Sequence, residues 1–368
     1  MKKIAFYTIG HVDLPSTRFR ILQYLPFLQK EGFAARLFVL PKPPQGKIGQ
    51  AVGLLWQGIV RWLQLRRASE YDLLIVQKGL TPWRCRGLVK KLLSTGVPYL
   101  LDIDDAIYTT NPLQFPFFMR WLQDDKEPLA LIRHAQQVIV GNSYLEAFVS
   151  KEKDHIALIP TPVDTERYQP HPMPKSPNQK VVIGWSGSNG TNIYFNTLIP
   201  ILRRLAARHS FELLVMSNSL RTIEVSKLEG VSWRFLEWNK ETEVEDLQKI
   251  DIGVMPLPDN EWTRGKCGFK ALLYMALGLP AVCSPVGVNR EIIQDGKNGF
   301  LAATEGEWVQ KLSSLLENEN LRKELGAQAR KTVQEKYSLD THSTPWVNLI
   351  EGMIGAGSRA RDLRYQIQ

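Results

Sequence analysis

The chain has 368 residues, a net charge of +9 and a hydrophobic fraction of 44%, and 23% of its residues are charged. A chain of this length can bury two substantial cores, and this composition is ordinary for a soluble globular protein. No run approaches the roughly 18 apolar residues of a membrane span, and the opening MKKIAFYTIG lacks the apolar run and cleavage site of a signal peptide.

Charge and cysteine content narrow the partners and the compartment. A net positive charge indicates an anionic partner, and no nucleic-acid-binding motif accompanies it, which favours nucleotides and anionic lipid over nucleic acid. Cys85, Cys267 and Cys283 have no metal-ligand spacing and suit a reducing compartment. We therefore expect a cytoplasmic protein.

The chain opens with the pattern of a Rossmann-like domain. Residues 4–9 form an apolar run that ends at Gly10 and His11, as a strand followed by a glycine turn does. A helix is predicted next, over residues 21–30. The Gly-x-Gly-x-x-Gly spacing of dinucleotide-binding folds is absent, which disfavours a dehydrogenase.

Three segments of the first domain place tryptophan beside arginine and lysine. They are an amphipathic helix predicted over 47–67, a basic amphipathic segment at 82–93 and a dense aromatic run at 115–122. Apolar residues of the helix recur at helical spacing, namely Ile48, Val52, Leu55, Ile59, Trp62 and Leu63. Each segment can pack against its own sheet, as most helices of such a domain do, or lie on an anionic bilayer. The sequence leaves both interpretations open.

A buried strand predicted within residues 98–105, PYLLDIDD, ends in carboxylates. Three acidic side chains in one short run repel each other, which can raise a pKa and leave Asp104 or Asp105 as a base or a hydrogen-bond acceptor. A helix N-cap and a metal pair are the alternatives, because Asp-x-Asp is also a metal-binding pattern.

A proline-rich linker divides the chain. Residues 170–177 contain four prolines, which indicates a stiff connection between domains. We therefore expect an N-terminal domain over 1–169, completed by a crossover helix at 339–368, and a second domain over 170–338.

The second domain opens with a strand, a loop of small residues and a helix. The strand is predicted at 181–185, the loop contains Gly187 and Ser188, and the helix is predicted at 193–208. This arrangement can cradle a phosphate, because backbone N–H groups and the helix dipole point at the loop.

The stretch at 262–291 also has the character of an anion site. A basic loop containing Lys266 and Gly268 leads into an apolar helix predicted over 269–277. The positive end of that helix favours a phosphate, and Lys266 and Lys270 would add point charges. The plain alternative is that both lysines only solvate a loop.

The order of motifs after residue 274 resembles the donor site of a known enzyme family. Met-Ala-x-Gly-x-Pro at 275–280 is followed by a short strand, Ser-Pro-x-Gly at 284–287, the acidic Glu291 and DGKNGFL at 295–301. This ordered set is similar to the donor-sugar site of GT-B glycosyltransferases of family 4, the glycosyl transferases group 1. The resemblance implies an α/β protein with two Rossmann-like, doubly wound domains that face a central cleft.

The resemblance also implies an activity. It predicts a glycosyltransferase that moves a sugar from a nucleoside-diphosphate-sugar donor to a hydroxyl acceptor, with retention of the anomeric configuration and without a metal ion or other cofactor. The expected acceptor is a growing cell-surface glycan or its lipid carrier, which would bring the enzyme to the inner face of the cell membrane.

Family positions give expected roles to residues of this chain. The donor is expected to contact Gly187, Ser188, Trp238, Arg264, Gly268, Asn289 and Glu291. Diphosphate charge would develop against Lys266 and Lys270, while Asp104 or Asp105 would orient the acceptor or the sugar. The loop expected to face the cleft contains Gly10, His11 and Arg18. Alternatively, His11 is only a turn residue and Arg20 only salt-bridges a helix.

One departure from the family pattern concerns the ribose. The family usually has two glutamates at positions that are occupied here by Gly265 and Leu273. A leucine side chain cannot accept hydrogen bonds from a ribose diol. Another group holds the ribose, the donor differs, or activity is lost. Two rival functions follow, a non-catalytic GT-B partner that binds sugar or lipid and a GT-B-fold nucleotide-sugar epimerase.

Overall fold

The computed structural model describes residues 1–42, 44, 46–109, 123–171 and 179–365. It divides into two compact units, residues 1–161 with 340–368 and residues 162–339. The aromatic run at 115–122 and most of the proline-rich segment at 170–177 lie outside the described residues.

The first unit is built on a parallel six-stranded sheet. Its strands are β1 Lys3–Thr8, β2 Ala34–Phe38, β3 Leu73–Gln77, β4 Tyr99–Ile103, β5 Gln137–Val140 and β6 Ile156–Leu158. They lie in the order β2-β1-β3-β4-β5-β6, so the order reverses between β1 and β3. Every residue of β3 and β4 is buried, as expected of central parallel strands that helices cover on both faces.

The second unit has its own parallel six-stranded sheet. Its strands are β7 Val181–Ser186, β8 Phe211–Ser217, β9 Trp233–Glu237, β10 Ile252–Met255, β11 Ala281–Cys283 and β12 Phe300–Leu301. The order β12-β11-β10-β7-β8-β9 is that of a Rossmann fold, with the reversal between β7 and β10.

Helices flank the strands in both units. Those of the first unit are α1 Pro15–Arg20, α2 Leu25–Lys30, α3 Lys47–Leu65, α4 Leu88–Leu93, α5 Glu127–His134 and α6 Ser143–Val149. Those of the second unit are α7 Asn192–Phe195, α8 Ile199–Ala206, α9 Glu243–Leu247, α10 Glu261–Arg264, α11 Phe269–Ala276, α12 Asn289–Ile292, α13 Glu305–Glu317 and α14 Glu319–Lys336. The last helix, α15 Leu339–Tyr365, falls almost wholly in the first unit.

Three predicted helices differ from the structure. The helix predicted over 193–208 is divided into α7, a 3-10 turn at Asn196–Leu198 and α8. In place of one helix over 21–30, a 3-10 turn at Leu22–Tyr24 precedes α2, because Pro26 can occupy only the first turn of a helix. In the 82–93 segment the helix begins only at Leu88, after Gly87, which has a φ of 89°.

The second unit begins at residue 162 rather than at the predicted 170. Val163 donates a backbone hydrogen bond to Tyr337, and the Tyr168 hydroxyl donates to the Glu243 carboxylate at 2.6 Å. The Arg330 guanidinium donates to the Tyr168 carbonyl at 3.0 Å. These contacts attach residues 162–169 to the second unit. The boundary between the units therefore lies before the proline-rich segment at 170–177.

Helix α15 packs in the first unit through Trp346. That indole is 2% exposed and stacks on Tyr24 with ring centres 4.4 Å apart, and its ring centre lies 6.3 Å from that of Phe6. Across the described ranges, no helix is long and apolar enough to pass through a membrane.

Candidate functional site

The sheet of the second unit reverses its order between β7 and β10. β8 and β9 lie on one side of β7, whereas β10, β11 and β12 lie on the other. The loops that follow β7 and β10 therefore leave the carboxyl edge in opposite directions and open a crevice, where sheets of this kind bind ligands. The loop at 187–191 and the basic loop at 264–268 follow these two strands.

Tyr274 anchors helix α11 beside this crevice. Its hydroxyl accepts a hydrogen bond from the backbone N–H of Ser186 at 2.8 Å, and its side chain is fully buried. Its ring packs directly on Gly253 of β10, where an added Cβ would lie 2.2 Å from a ring carbon. Lys270 precedes Tyr274 by about one turn and shares its face of the helix. The anchor thus directs Lys270 toward the end of β7.

Lys270 reaches the loop after β7. Its Nζ lies 3.4 Å from the hydroxyl oxygen of Thr191 and 5.7 Å from the centre of the Trp185 ring. The Trp185 ring also covers Gly187, where an added Cβ would lie 2.0 Å from it. Only a glycine allows the ring to lie there, and the ring face attracts the ammonium. Trp185 of β7 and Thr191 of the loop that follows it thereby hold the Lys270 charge at the crevice.

Asparagines join the loop after β7 to the loop after β8. The Asn218 side-chain oxygen accepts a hydrogen bond from the backbone N–H of Asn189 at 3.0 Å. The fully buried Asn192 donates to the Ser219 carbonyl at 2.7 Å and accepts from the Ser217 hydroxyl at 2.9 Å. The predicted phosphate loop therefore has a fixed shape, set by side chains that it does not itself contain.

The basic loop supplies a second lysine to the same edge of the sheet. Lys266 Nζ lies 5.2 Å from the centre of the Trp262 ring and is half-buried. Arg264 donates to the Asp259 carboxylate at 2.6 Å in an exposed ion pair, so its charge is partly neutralised. The guanidinium also lowers the pKa of Asp259. The basic loop therefore brings Arg264 and Lys266 to this edge of the sheet, and α11 adds Lys270.

Close backbone approaches shape the entry to α11. Gly268 has a φ of 65°, and an added Cβ would lie 2.4 Å from Ile292. Gly287 has a φ of 51°, and there a Cβ would lie 2.4 Å from the Arg264 carbonyl oxygen. Asn289 is fully buried and donates to the Ser284 carbonyl at 3.0 Å, which fixes the turn between β11 and α12. Gly268 and Asn289 therefore help to fix the backbone shape of the basic loop and of the turn that packs against it.

The remaining predicted donor residues have distinct environments. The Trp238 indole N–H donates to Glu243 at 2.9 Å, which holds the ring at the end of β9. Ser188 lies in the loop after β7 and accepts backbone hydrogen bonds at its carbonyl, and Glu291 is exposed in the first turn of α12. Leu273 is 4% exposed and belongs to the apolar packing of α11.

A polar cluster lies at the carboxyl edge of the first sheet. The Lys78 ammonium, placed directly after β3, lies 3.0 Å from an Asp104 carboxylate oxygen and 2.5 Å from an Asp105 oxygen. The Ser16 hydroxyl donates to Asp104 at 2.5 Å. Burial acts to lower the pKa of Lys78, but the two carboxylates outweigh it and raise that pKa. Lys78 has a φ of 62°, a strained conformation typical of functional positions.

The predicted mutual repulsion of the three aspartates is offset by two cations. Lys78 lies between Asp104 and Asp105, and Arg20 forms a bidentate pair with Asp102, with Nε 3.1 Å from one carboxylate oxygen. Burial raises the pKa of Asp102, and the guanidinium acts against that shift. Arg20 thus pairs with a strand end rather than a helix. Within the described ranges no three His, Cys, Asp or Glu side chains are arranged to hold a metal ion.

The loop after β1 contains Gly10 and His11, whereas Arg18, predicted in the same loop, lies in helix α1. The Gly10 carbonyl accepts from the Thr8 hydroxyl at 2.8 Å, and His11 Nδ1 lies 3.3 Å from an Asp13 carboxylate oxygen. Burial and the Lys42 charge lower the pKa of His11, although Asp13 acts to raise it. Arg18 is 5% exposed and its guanidinium lies over the Phe19 ring.

Sequence reasoning missed Lys78, Ser16, Trp185 and Thr191. Lys78 had a usable signal, because a polar residue followed by glycine at the end of a buried strand falls at the ligand-binding edge of a parallel sheet. Trp185 and Thr191 were assigned only to the strand and its loop. Their contact with Lys270 joins positions far apart in sequence and could not be read from spacing.

The architecture of the two units defines a class of protein with solved relatives. A sucrose-phosphate synthase from Thermosynechococcus elongatus superposes with a TM-score of 0.74 at 15% identity, over 97% of this chain and 100% of that one. HepE from Anabaena, crystallised with UDP and glucose, gives 0.64 at 14% identity over 96% and 100%. The lipopolysaccharide outer core galactosyltransferase WaaB gives 0.60 at 13% identity over 95% and 99%. The predicted GT-B fold is confirmed.

A sequence model of one protein family matches most of the second unit. Residues 180–318 match the model described as Glycosyl transferases group 1. This stretch contains the crevice, the basic loop and the motif order that suggested the family. The match confirms the predicted enzyme class, a glycosyltransferase. A comparison with proteins of curated function found no match.

Proposed function

We propose that this protein transfers a sugar from a nucleoside-diphosphate-sugar donor to a hydroxyl acceptor, as a family 4 enzyme that retains the anomeric configuration and needs no metal ion. The observation that carries the proposal is the position of Lys270 at the reversal between β7 and β10, in contact with Thr191 and Trp185. A diphosphate at that edge would meet Lys270, Lys266 and the N-terminal end of α11.

The proposed chemistry is stabilisation of the leaving group. As the bond from the sugar to the diphosphate breaks, negative charge builds on the phosphate oxygens, and fixed cations lower the energy of that state. Lys270 is held by Tyr274 and Trp185, and Lys266 lies against Trp262, so both charges are in place before the reaction. Two ordered ammonium groups perform the role that a divalent cation performs in metal-dependent transferases.

The likeness to HepE supports a nucleotide-sugar donor, because that protein was also crystallised with UDP-glucose. In this chain the loop of Gly187 and Ser188 would cradle the phosphates, and Trp238 would lie near the base. The ribose would have to find a partner other than residue 273. Leu273 is buried in apolar packing, so another residue of the chain would contact the ribose.

The proposed role of Asp104 or Asp105 is to orient the acceptor hydroxyl or the sugar. Both carboxylates are 10% to 18% exposed and are aligned by Lys78 at the edge of the first sheet. The proposed acceptor is a growing cell-surface glycan or its lipid carrier, which places the reaction in the cytoplasm at the inner face of the cell membrane.

A thermal-shift panel tests the donor site. UDP, GDP, ADP and CMP, each with and without an attached sugar, are added to the folded protein, and one nucleoside diphosphate is expected to raise the melting temperature selectively. Lys266→Ala combined with Lys270→Ala should abolish that shift, because each lysine supplies charge to the diphosphate. Lys323→Ala, an exposed lysine of α14 in the same unit, is the matched control and should retain it.

The outcomes separate this proposal from its rivals. Equal shifts for the double variant and the wild type would refute the phosphate role of the lysines. The leucine at position 273 favours a second candidate, a non-catalytic protein that binds sugar or lipid, and a flat panel with folded protein would support it. A selective shift together with interconversion of the free nucleotide sugar, without any acceptor, would identify an epimerase instead.

A further inference from the structure

Helix α3 has its polar face turned inward. Arg61 is completely buried, and its guanidinium donates to the carbonyls of Leu80 at 2.8 Å, Phe38 at 3.3 Å and Thr8. Gln57 is 4% exposed and donates to the Pro41 carbonyl at 2.8 Å. These hydrogen bonds hold the helix against the carboxyl ends of β1 and β2 and the loop after β3. Leu54 and Leu65 are also buried on this side of the helix, so the attachment of α3 combines polar and apolar contacts.

The apolar face of the same helix points outward. Its large side chains have exposed fractions of 44% to 59%, and they are Val52, Leu55, Trp56, Ile59, Trp62 and Leu63. At 3.6 residues per turn these six positions fall within a sector of about 120°. A surface helix normally buries such a sector, so this arrangement is the reverse of ordinary amphipathic packing. We call these six side chains the apolar stripe.

Cations border the apolar stripe at its C-terminal end. The Arg66 guanidinium lies 5.4 Å from the centre of the Trp62 ring, and the Lys91 Nζ of α4 lies 5.9 Å from it. Lys90, which precedes Lys91 in α4, is exposed. Tryptophan next to lysine and arginine is the composition of helices that lie in the headgroup region of a membrane.

We propose that the apolar stripe docks this protein on an anionic lipid bilayer, with α3 lying parallel to the membrane surface. The stripe extends about 17 Å along the helix axis at about 1.5 Å per residue, too short to cross a bilayer but sufficient to enter one leaflet. Arg66, Lys90 and Lys91 then meet lipid phosphates, while Trp56 and Trp62 lie at the boundary between headgroups and acyl chains. Charge complementarity selects an anionic bilayer over a neutral one.

This inference deepens the proposed function, because a lipid-linked acceptor would be met at the surface on which α3 lies. It assigns the membrane contact to α3 and to the lysines of α4, which belong to two of the three tryptophan-containing segments considered on sequence. It also explains why an inward polar face is retained in α3. Arg61 and Gln57 hold the helix in place without using the apolar side chains that the membrane requires.

Vesicle flotation of the full chain tests the proposal. The protein is mixed with vesicles of phosphatidylcholine alone or with an equal amount of phosphatidylglycerol, and it should float with the second kind. Trp56→Ser combined with Ile59→Ser should weaken binding by about tenfold or more, since both side chains would leave the acyl boundary. Arg66→Gln combined with Lys91→Gln should lose roughly tenfold on the phosphatidylglycerol vesicles only.

A matched control and a separate readout keep the test decisive. Leu158→Ser removes another exposed apolar side chain of the first unit, 43% exposed, and should float like the wild type. The proposal would be overturned if the wild-type protein does not float with the vesicles. It would also be overturned if the Trp56→Ser, Ile59→Ser variant floats as the wild type does. The proposal would also be overturned if the wild type forms a dimer and does not bind vesicles, while the Trp56→Ser, Ile59→Ser variant is a monomer. If the protein binds vesicles but no nucleotide raises its melting temperature, the proposed function is refuted and the proposal of a membrane-docking surface stands.

Discussion

Glu127→Gln is predicted to change how the stability of the protein depends on pH. Glu127 is the first residue of α5 and is 1% exposed, and one carboxylate oxygen accepts a weak hydrogen bond from the Leu80 backbone N–H at 3.3 Å. The other oxygen has no hydrogen-bond partner in the described part of the chain. Burial raises the pKa of Glu127 from 4.5 to about 8, although the Leu80 N–H and the Arg84 charge act to lower it.

The sign and size of the effect follow from proton linkage. The unfolded chain releases this proton near pH 4.5, whereas the folded protein keeps it until about pH 8. The folded state therefore binds more protons between these values, and its free energy of unfolding falls as the pH rises. At about 1.4 kcal/mol per pH unit, the loss between pH 5 and pH 7 is about 2–3 kcal/mol. Glutamine does not ionise, so the variant lacks this loss.

Urea unfolding at several pH values measures the prediction. The free energies of wild type and Glu127→Gln should be similar at pH 5 and diverge by about 2–3 kcal/mol in favour of the variant at pH 7. Glu31→Gln, at an exposed position after α2, is the control and should follow the wild type at every pH. A constant difference between pH 5 and pH 8 would show that Glu127 is already ionised in the folded protein and would refute the reasoning.

Two further predictions concern the backbone of the basic loop and the buried ion pair. Gly287→Ala places a Cβ 2.4 Å from a carbonyl oxygen of that loop, so it should cost about 2–4 kcal/mol in urea unfolding and weaken the nucleotide-induced thermal shift. Gly230→Ala, at a φ of 82° with open space around it, should cost only about 1–2 kcal/mol and leave the shift unchanged. Arg20→Met leaves Asp102 buried without its cation and should cost about 3–5 kcal/mol at pH 7. The cost should shrink at pH 5, because burial raises the pKa of Asp102 and the lone carboxyl can be protonated there. Arg133→Met, which breaks an exposed ion pair, should cost less than about 1 kcal/mol, and equal costs for both arginines would contradict the argument.

Local patterns in the sequence determined the class of the fold. The apolar run at 4–9 predicted a strand, which the structure has at Lys3–Thr8. The helix predicted over 269–277 is found at Phe269–Ala276, and Gly278 follows it with a φ of 70°. The motif order from 275 to 301 predicted the glycosyltransferase class through its resemblance to a known family, and each of these motifs is a short strand, turn or helix end. Such features depend on residues that are neighbours in the chain, so one sequence suffices to recognise them.

Long-range packing decided which charged residues act together. The sequence singled out Asp104 and Asp105 but not Lys78, whose position between them depends on β3 and β4 being neighbours in the sheet. It singled out Lys270 but not Trp185 and Thr191, since β7 and β10 meet only because the strand order reverses there. Sheet order arises from the whole hydrophobic core, and spacing along the chain does not encode it.

The orientation of α3 was also decided by tertiary structure. The 3.6-residue period of its apolar side chains predicted an amphipathic helix, and the structure confirms a helix at Lys47–Leu65. The same period fits a stripe that faces the core and a stripe that faces outward. Arg61 decided between them, because its guanidinium finds carbonyl partners at the ends of β1, β2 and the loop after β3. A hydrophobic pattern shows that a face exists, and only the partners of the opposite face show where it points.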